Sequence, residues 1–141
     1  MRRVFGGVLV ACGLVALAVL AAGCGSGSET PELDGTSWRL TGWSVSAQDP
    51  NDFTITAEFK DGSIAGSAAV NQYNGPYTVG PDDAFSAGPL ASTKMAGPEA
   101  DMQAEAAYLE LLGAAKSVAL DDTTLTLFDA DGNESLVYTA Q

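Results

Sequence analysis

Alternation of apolar and polar positions dominates the chain beyond residue 50. In Phe53-Thr54-Ile55-Thr56-Ala57-Glu58-Phe59 every second residue is apolar, which puts Phe53, Ile55, Ala57 and Phe59 on one face of a strand. Ser63 to Val70 repeats the pattern, with Ile64, Gly66, Ala68 and Val70 on one side. Between them Lys60-Asp61-Gly62 carries the Asp-Gly signature of a tight hairpin, so the two strands are expected to pair antiparallel. Upstream, Trp38, Leu40, Trp43 and Val45 predict a further strand, with Gly42 as a bulge that resets the alternation. A turn at Asp49-Pro50-Asn51-Asp52 follows it. Downstream, strands are predicted over 118–120, 124–128 and 136–139, joined by turns at Asp121-Asp122 and Asp131-Gly132-Asn133. The last two strands should form a hairpin.

One helix interrupts the series. Pro98 fits the first helical position, Glu99 and Asp101 place negative charge near the positive end of the macrodipole, and Lys116 lies at the other end. Met102, Ala106, Leu109 and Leu112 fall at helical spacing and predict the buried stripe. A lipid- or partner-binding stripe is the competing reading, but a sheet of this size needs a helix to cover it. The fold class expected is therefore α+β, mainly antiparallel β.

The N-terminus has a different character. Arg2 and Arg3, the uncharged stretch from Val4 to Ala22 and the exit Leu20-Ala21-Ala22-Gly23-Cys24 have the three-part layout of a secretory signal. The exit resembles a bacterial lipobox, in which the cysteine is lipidated and becomes the mature N-terminus. Ala21 departs from that pattern, since leucine is commonest at its place. An uncleaved anchor is the alternative, because the stretch reaches the lower limit of roughly 17–20 residues for a span. The internal Gly6, Gly7 and Gly13 and the placement of Cys24 favour cleavage. Residues 1–23 are read as a lipoprotein signal peptide, 24–32 as a flexible Gly/Ser-rich linker, and 33–141 as one domain. The expected location is the extracytoplasmic side of the cell membrane, held there by acyl chains on Cys24.

Charge and composition then exclude whole classes. The chain carries 6 basic and 18 acidic residues, for a net charge of −12. Removing Arg2 and Arg3 with the signal makes it −14, because no acid leaves with them. Nucleic acid is not an expected partner, since binding it needs a basic footprint that Arg39, Lys60, Lys94 and Lys116 do not supply. Cys12 leaves with the signal and Cys24 is taken by lipid, so no thiol remains for a disulfide. With 0 histidines, His-based triads and His-ligated zinc are closed. Ser92-Thr93-Lys94 suggests a serine and lysine pair, but adjacent residues of an extended segment point to opposite faces. Asp129-Ala130-Asp131-Gly132-Asn133-Glu134 suggests calcium, yet lacks the glycine and terminal glutamate spacing of an EF-hand and suits a hairpin turn better. No catalytic residue, metal site or cofactor is expected.

The order of the pieces resembles the META domain family of HslJ-like bacterial lipoproteins. Leu33-Asp34-Gly35-Thr36-Ser37-Trp38-Arg39-Leu40 is similar to the family's opening, and Gly66 to Tyr77 to its glycine, cysteine and asparagine segment. Thr93-Lys94-Met95-Ala96-Gly97-Pro98 is similar to its threonine, basic residue, methionine, alanine, cysteine and proline segment. Glu105 to Leu112 and Leu125 to Gly132 complete the match. Val70 and Gly97 stand where many members carry cysteine, which is coherent if those positions face one another. The resemblance implies a strongly curved antiparallel sheet or partial barrel packed around one main helix. It implies no established enzymatic activity, and it links the chain to envelope stress and antibiotic tolerance.

The function expected is a non-enzymatic, lipid-anchored envelope protein that binds a protein or small ligand or has a structural role. A carboxylate-dependent hydrolase of cell-envelope polymer is the alternative, and an inhibitor or chaperone-like partner of another exported protein a third reading. Asn71, Tyr73, Thr93 and Lys94 are the candidate binding residues. They fall in the two family-like segments with least core periodicity, where exposed polar and aromatic side chains on turns would form one contact patch. In the competing structural reading Asn71 holds its own turn and Tyr73 fills the rim of the core.

Overall fold

The computed structural model describes residues 30–141; the segment read above as signal peptide and lipobox, with Cys24, lies outside the described residues. The chain forms β1 (Thr36–Trp43), β2 (Thr56–Lys60), β3 (Ser63–Ala68), β4 (Asn71–Val79), β5 (Phe85–Ala87), β6 (Ala91–Ser92), α1 (Glu99–Ala114), β7 (Ser117–Leu120), β8 (Thr124–Phe128) and β9 (Glu134–Ala140). The strands make one antiparallel sheet in the order β5-β4-β3-β2-β1-β9-β8-β7, with β6 beside β4. Its two ends meet through a bridge between Ala84 and Ser117, and the Phe85 N–H donates to the Lys116 carbonyl at 2.9 Å. The result is a nearly closed barrel with α1 packed against β3, β5 and β9.

Local chemistry explains the corners. Asp61 (φ 52) and Gly62 (φ 77) both occupy the left-handed region, as a type I′ turn between right-twisted strands requires. Thr41–Gly42 forms the expected bulge, since Leu40 faces Tyr138 while Gly42 faces Val137. At the C-terminal hairpin the Asp129 carboxylate accepts from the N–H groups of Asp131 (2.9 Å) and Asn133 (3.0 Å). Asp121 caps the β7–β8 turn in the same manner through Thr123 and Thr124.

Several sequence expectations are corrected. Val70 does not extend β3, because Ala69 turns the chain with φ 74 and Ala68 pairs directly with Asn71. Val45 lies beyond β1, which ends at Trp43. Pro98 caps α1 rather than opening it: its backbone is extended and its carbonyl accepts the first helical bond, from Met102 N–H at 3.0 Å. Lys116 lies past the helix end. The buried stripe also differs, for Ala104, Tyr108 and Leu112 face the core, while Met102 is 47% exposed and Ala106 is exposed. The small residues Ala100, Ala104, Ala106, Ala107 and Ala114 leave periodicity little to read, and the tyrosine chooses the face.

The core is filled by the alternating residues of both halves, among them Leu40, Ile55, Phe59, Ile64, Leu125, Leu127 and Leu136. Leu33, buried just before β1, adds an apolar plug at the end of the barrel where the β2–β3 hairpin lies. There the Gly35 N–H donates to the Phe59 carbonyl at 2.7 Å.

Candidate functional site

Asn71 is the first residue of β4 and its side chain points inward, leaving the residue only 4% exposed. A buried amide must fill two donor and two acceptor positions or cost stability. Here all four are filled. Its Oδ1 accepts from Met95 N–H (2.7 Å) and from the Thr93 hydroxyl (2.9 Å). Its Nδ2 donates to the Met95 carbonyl (3.1 Å) and to Glu105 Oε1 (2.9 Å). Glu105 Oε2 accepts the Asn71 backbone N–H at 2.8 Å. One side chain thus ties β4, the segment 93–95 and α1 together.

Two residues along the same inward face, Tyr73 begins a chain of hydroxyls. Its OH donates to the Thr56 carbonyl at 2.7 Å and lies 2.7 Å from the Tyr108 hydroxyl, which lies 3.1 Å from that of Tyr138. The direction of every bond follows. A carbonyl only accepts, so the single proton of Tyr73 is committed to Thr56 and Tyr73 accepts from Tyr108. Tyr108 has then spent its proton, and Tyr138 must donate to it. The rings meet edge to face, at centroid separations of 5.4 Å and 6.5 Å. Burial pushes the phenols of Tyr73, Tyr108 and Tyr138 well above the ordinary tyrosine range. They remain neutral at physiological pH.

Gly66, directly across from Tyr73 in β3, makes room for this chain. A Cβ on Gly66 would sit 2.9 Å from Thr56 Oγ1 and 2.7 Å from the Thr56 carbonyl carbon, so only glycine lets β3 lie this close to β2. Ser67 N–H donates instead to Thr56 Oγ1 at 3.0 Å.

The four candidate binding residues are brought together. Tyr73 pairs with Ser92 across β4 and β6, and Thr93 N–H donates to the Gln72 carbonyl at 3.0 Å. Their exposure differs from the expectation, because Asn71 and Tyr73 lie on a strand and face inward. Only Thr93 and Lys94 are exposed, and the Thr93 hydroxyl is engaged by Asn71. Glu105 and Tyr108 complete the arrangement and were not singled out from sequence; both lie in the helical segment that carries the family resemblance. Beside them the surface has only a shallow depression of about 200 Å³ bounded by Gln72, Asn74 and residues 91–93. A larger groove, about 410 Å³, lies beside residues 30–32, between Asp83 and Val118–Leu120. Among the described residues no three acidic, cysteine or histidine side chains are grouped to hold a metal. No helix among them is long and apolar enough to cross a membrane.

An antiparallel, nearly closed barrel locked to a single helix by a buried asparagine and a buried tyrosine chain defines an α+β fold class. The META domain model matches residues 31–141, and the chain belongs to the META domain family. It is similar to a protein from Burkholderia xenovorans solved by NMR, at 25% identity and a TM-score of 0.64 over 77% of this chain and 83% of that one. A second NMR structure matches at 22% identity and a TM-score of 0.57, over 76% of this chain and 90% of its own. The crystal structure of a DUF4847 family protein from Bacteroides vulgatus shares the fold at 13% identity, with a TM-score of 0.56 over 76% and 93% of the two chains. No curated protein matches the sequence.

Proposed function

We propose that the chain is a non-enzymatic binding or scaffolding protein of the bacterial envelope, held on the extracytoplasmic side of the cell membrane by lipid on Cys24. It works there in maintaining the envelope under stress. The observation that carries the non-enzymatic part is that the polar atoms of the Asn71 and Tyr73 side chains are spent on internal bonds. Side chains engaged in that way hold a shape and are not offered to a substrate.

The competing carboxylate-dependent hydrolase draws no support from the acids whose titration is displaced. Asp49, Asp121 and Asp129 are held below the ordinary carboxylate range by backbone N–H donors. A general acid working near neutrality needs the opposite displacement.

Anchoring is tested by growing cells with a fatty-acid analogue. The processed wild-type chain should take up label and Cys24→Ser should not, and absence of label from the wild type would refute the anchor. Binding at the candidate patch is tested with Lys94→Ala, since Tyr73 is part of the core and its loss would disturb the fold. Crosslinked partners recovered with the wild type and lost with Lys94→Ala, at an unchanged melting temperature, are the expected result.

A further inference from the structure

Met95 and Met102, at 61% and 47% exposure, are the large hydrophobic side chains left open to solvent among the described residues. Backbone contacts place the two on neighbouring segments. Glu105 reaches Asn71, and Asn71 holds both the N–H and the carbonyl of Met95. Met102 precedes Glu105 by three residues and so shares its side of α1, which places it beside the Met95 segment. Ala96 and Pro98, both exposed, lie between the two methionines in the chain. The backbone beneath is fixed, because Asn71 clamps it and Gly97 packs without a side chain against Val70. Solvent-facing methionines on a fixed shelf suit a partner of variable apolar shape, since the thioether is unbranched and polarisable.

Charge selects the chemistry of the partner. Glu99 and Asp101 stand in the first turn of α1 beside the shelf, and together they outweigh the half-charge of a helix N-terminus. Lys94 is the nearby cation, its Nζ 3.5 Å from Ser92 Oγ. The whole chain carries −12. An anionic lipid surface is therefore repelled, as is a second copy of the chain. We propose that the shelf of Met95, Ala96, Pro98 and Met102, rimmed by Glu99 and Asp101, binds a cationic amphipathic segment of another polypeptide. The proposal goes beyond the patch tested above with Lys94→Ala, because Lys94 disfavours a cationic partner and its loss should tighten this binding; it does not depend on the lipid at Cys24.

The test uses the full chain in an uncharged detergent and three labelled helical peptides followed by fluorescence anisotropy. One has a leucine face and a lysine face, the second replaces lysine by glutamate, and the third has the first one's composition in scrambled order. The first should bind, more weakly as salt rises, and at least tenfold tighter than the other two. Met95→Gln with Met102→Gln should weaken it by roughly tenfold or more, as expected for losing buried apolar contact, at an unchanged melting temperature. Met95→Leu with Met102→Leu should restore it. Equal binding of the ordered and scrambled peptides, or indifference to the glutamine substitutions, would overturn the assignment. So would methionine-dependent pelleting with anionic vesicles or methionine-dependent self-association, which would give the shelf to a membrane or to a second copy. Failure of acyl labelling at Cys24 would refute the anchor and leave this result standing.

Discussion

Joining Val70 to Gly97 by a disulfide probes the contact between the β3–β4 turn and the approach to the helix. A Cβ built on Gly97 would stand 3.5 Å from the Val70 Cβ and 2.8–2.9 Å from the valine methyl carbons. The first distance lies at the short end of the range that disulfides span; the second means that valine now fills the space a side chain at 97 would need. Gly97→Cys alone should therefore be strained, destabilising by about 1–3 kcal/mol. Val70→Cys removes the obstructing methyls, so the two changes should be far from additive. The bridge closes a loop of about 28 residues, for which restricting the unfolded chain contributes about 3.5 kcal/mol before native-state strain is subtracted. A net gain of about 2–3.5 kcal/mol corresponds to roughly 8–14 °C in melting temperature for a domain of this size. Thiol titration of the oxidised double variant under native conditions, with calorimetry in the presence and absence of reductant, measures both quantities. Thiols that stay reactive, or equal melting temperatures in the two redox states, would refute the reasoning.

The hydroxyl chain predicts a ranked series. Tyr73→Phe should cost about 2–4 kcal/mol, because it strands the Thr56 carbonyl and a tyrosine proton together. Tyr108→Phe strands only the Tyr138 proton and should cost about 1–3 kcal/mol, while Tyr138→Phe leaves an unfilled lone pair and should cost under about 1 kcal/mol; chemical denaturation gives the order, and a reversed order would refute the bond directions. In base, the raised pKa of Tyr73, Tyr108 and Tyr138 stabilises the fold fully below the ordinary tyrosine value of 10.0 and progressively less as pH rises beyond it. Tyrosinate absorbance should accordingly show Tyr77 titrating within the fold, since it is only partly buried, and the other three ionising together with unfolding. Calcium should leave the melting temperature unchanged, because Asp129 is engaged by its own turn; a rise with calcium and not with magnesium would overturn that reading.

Much of the fold is legible locally. The Asp61-Gly62 turn, the bulge at Gly42 and the hairpin β8–β9 each rest on residues within a few positions of one another, where turn chemistry and alternation act directly. β4 was not legible. Asn71-Gln72-Tyr73-Asn74-Gly75-Pro76-Tyr77 has the composition of a loop, and its inward asparagine becomes reasonable only when Glu105 and residues 93–95 are placed around it. The face of α1 was misread for the same reason. Tyr108 outcompetes Met102 and Ala106 for the core because strands distant in sequence supply hydroxyl partners to it. Local pattern gave the resemblance its residues, but the roles of Asn71 and Tyr73 are set by contacts 17 to 35 positions apart in the chain.

The closure between β5 and β7 has a consequence for how the molecule opens. Neighbours along the path from β5 through β1 to β7 run alongside one another over three or more paired residues, whereas this junction rests on the Ala84–Ser117 bridge and the Phe85 to Lys116 bond. The sheet is mechanically a split ring, and β7, on one side of its gap, follows α1 directly. Thermal breathing should start there, and the Phe85 amide should exchange its hydrogen faster than amides within the β1–β9 ladder. The split ring also sets a direction for opening: the edge at β5 swings away while β1, at the middle of the sheet, stays paired on both sides.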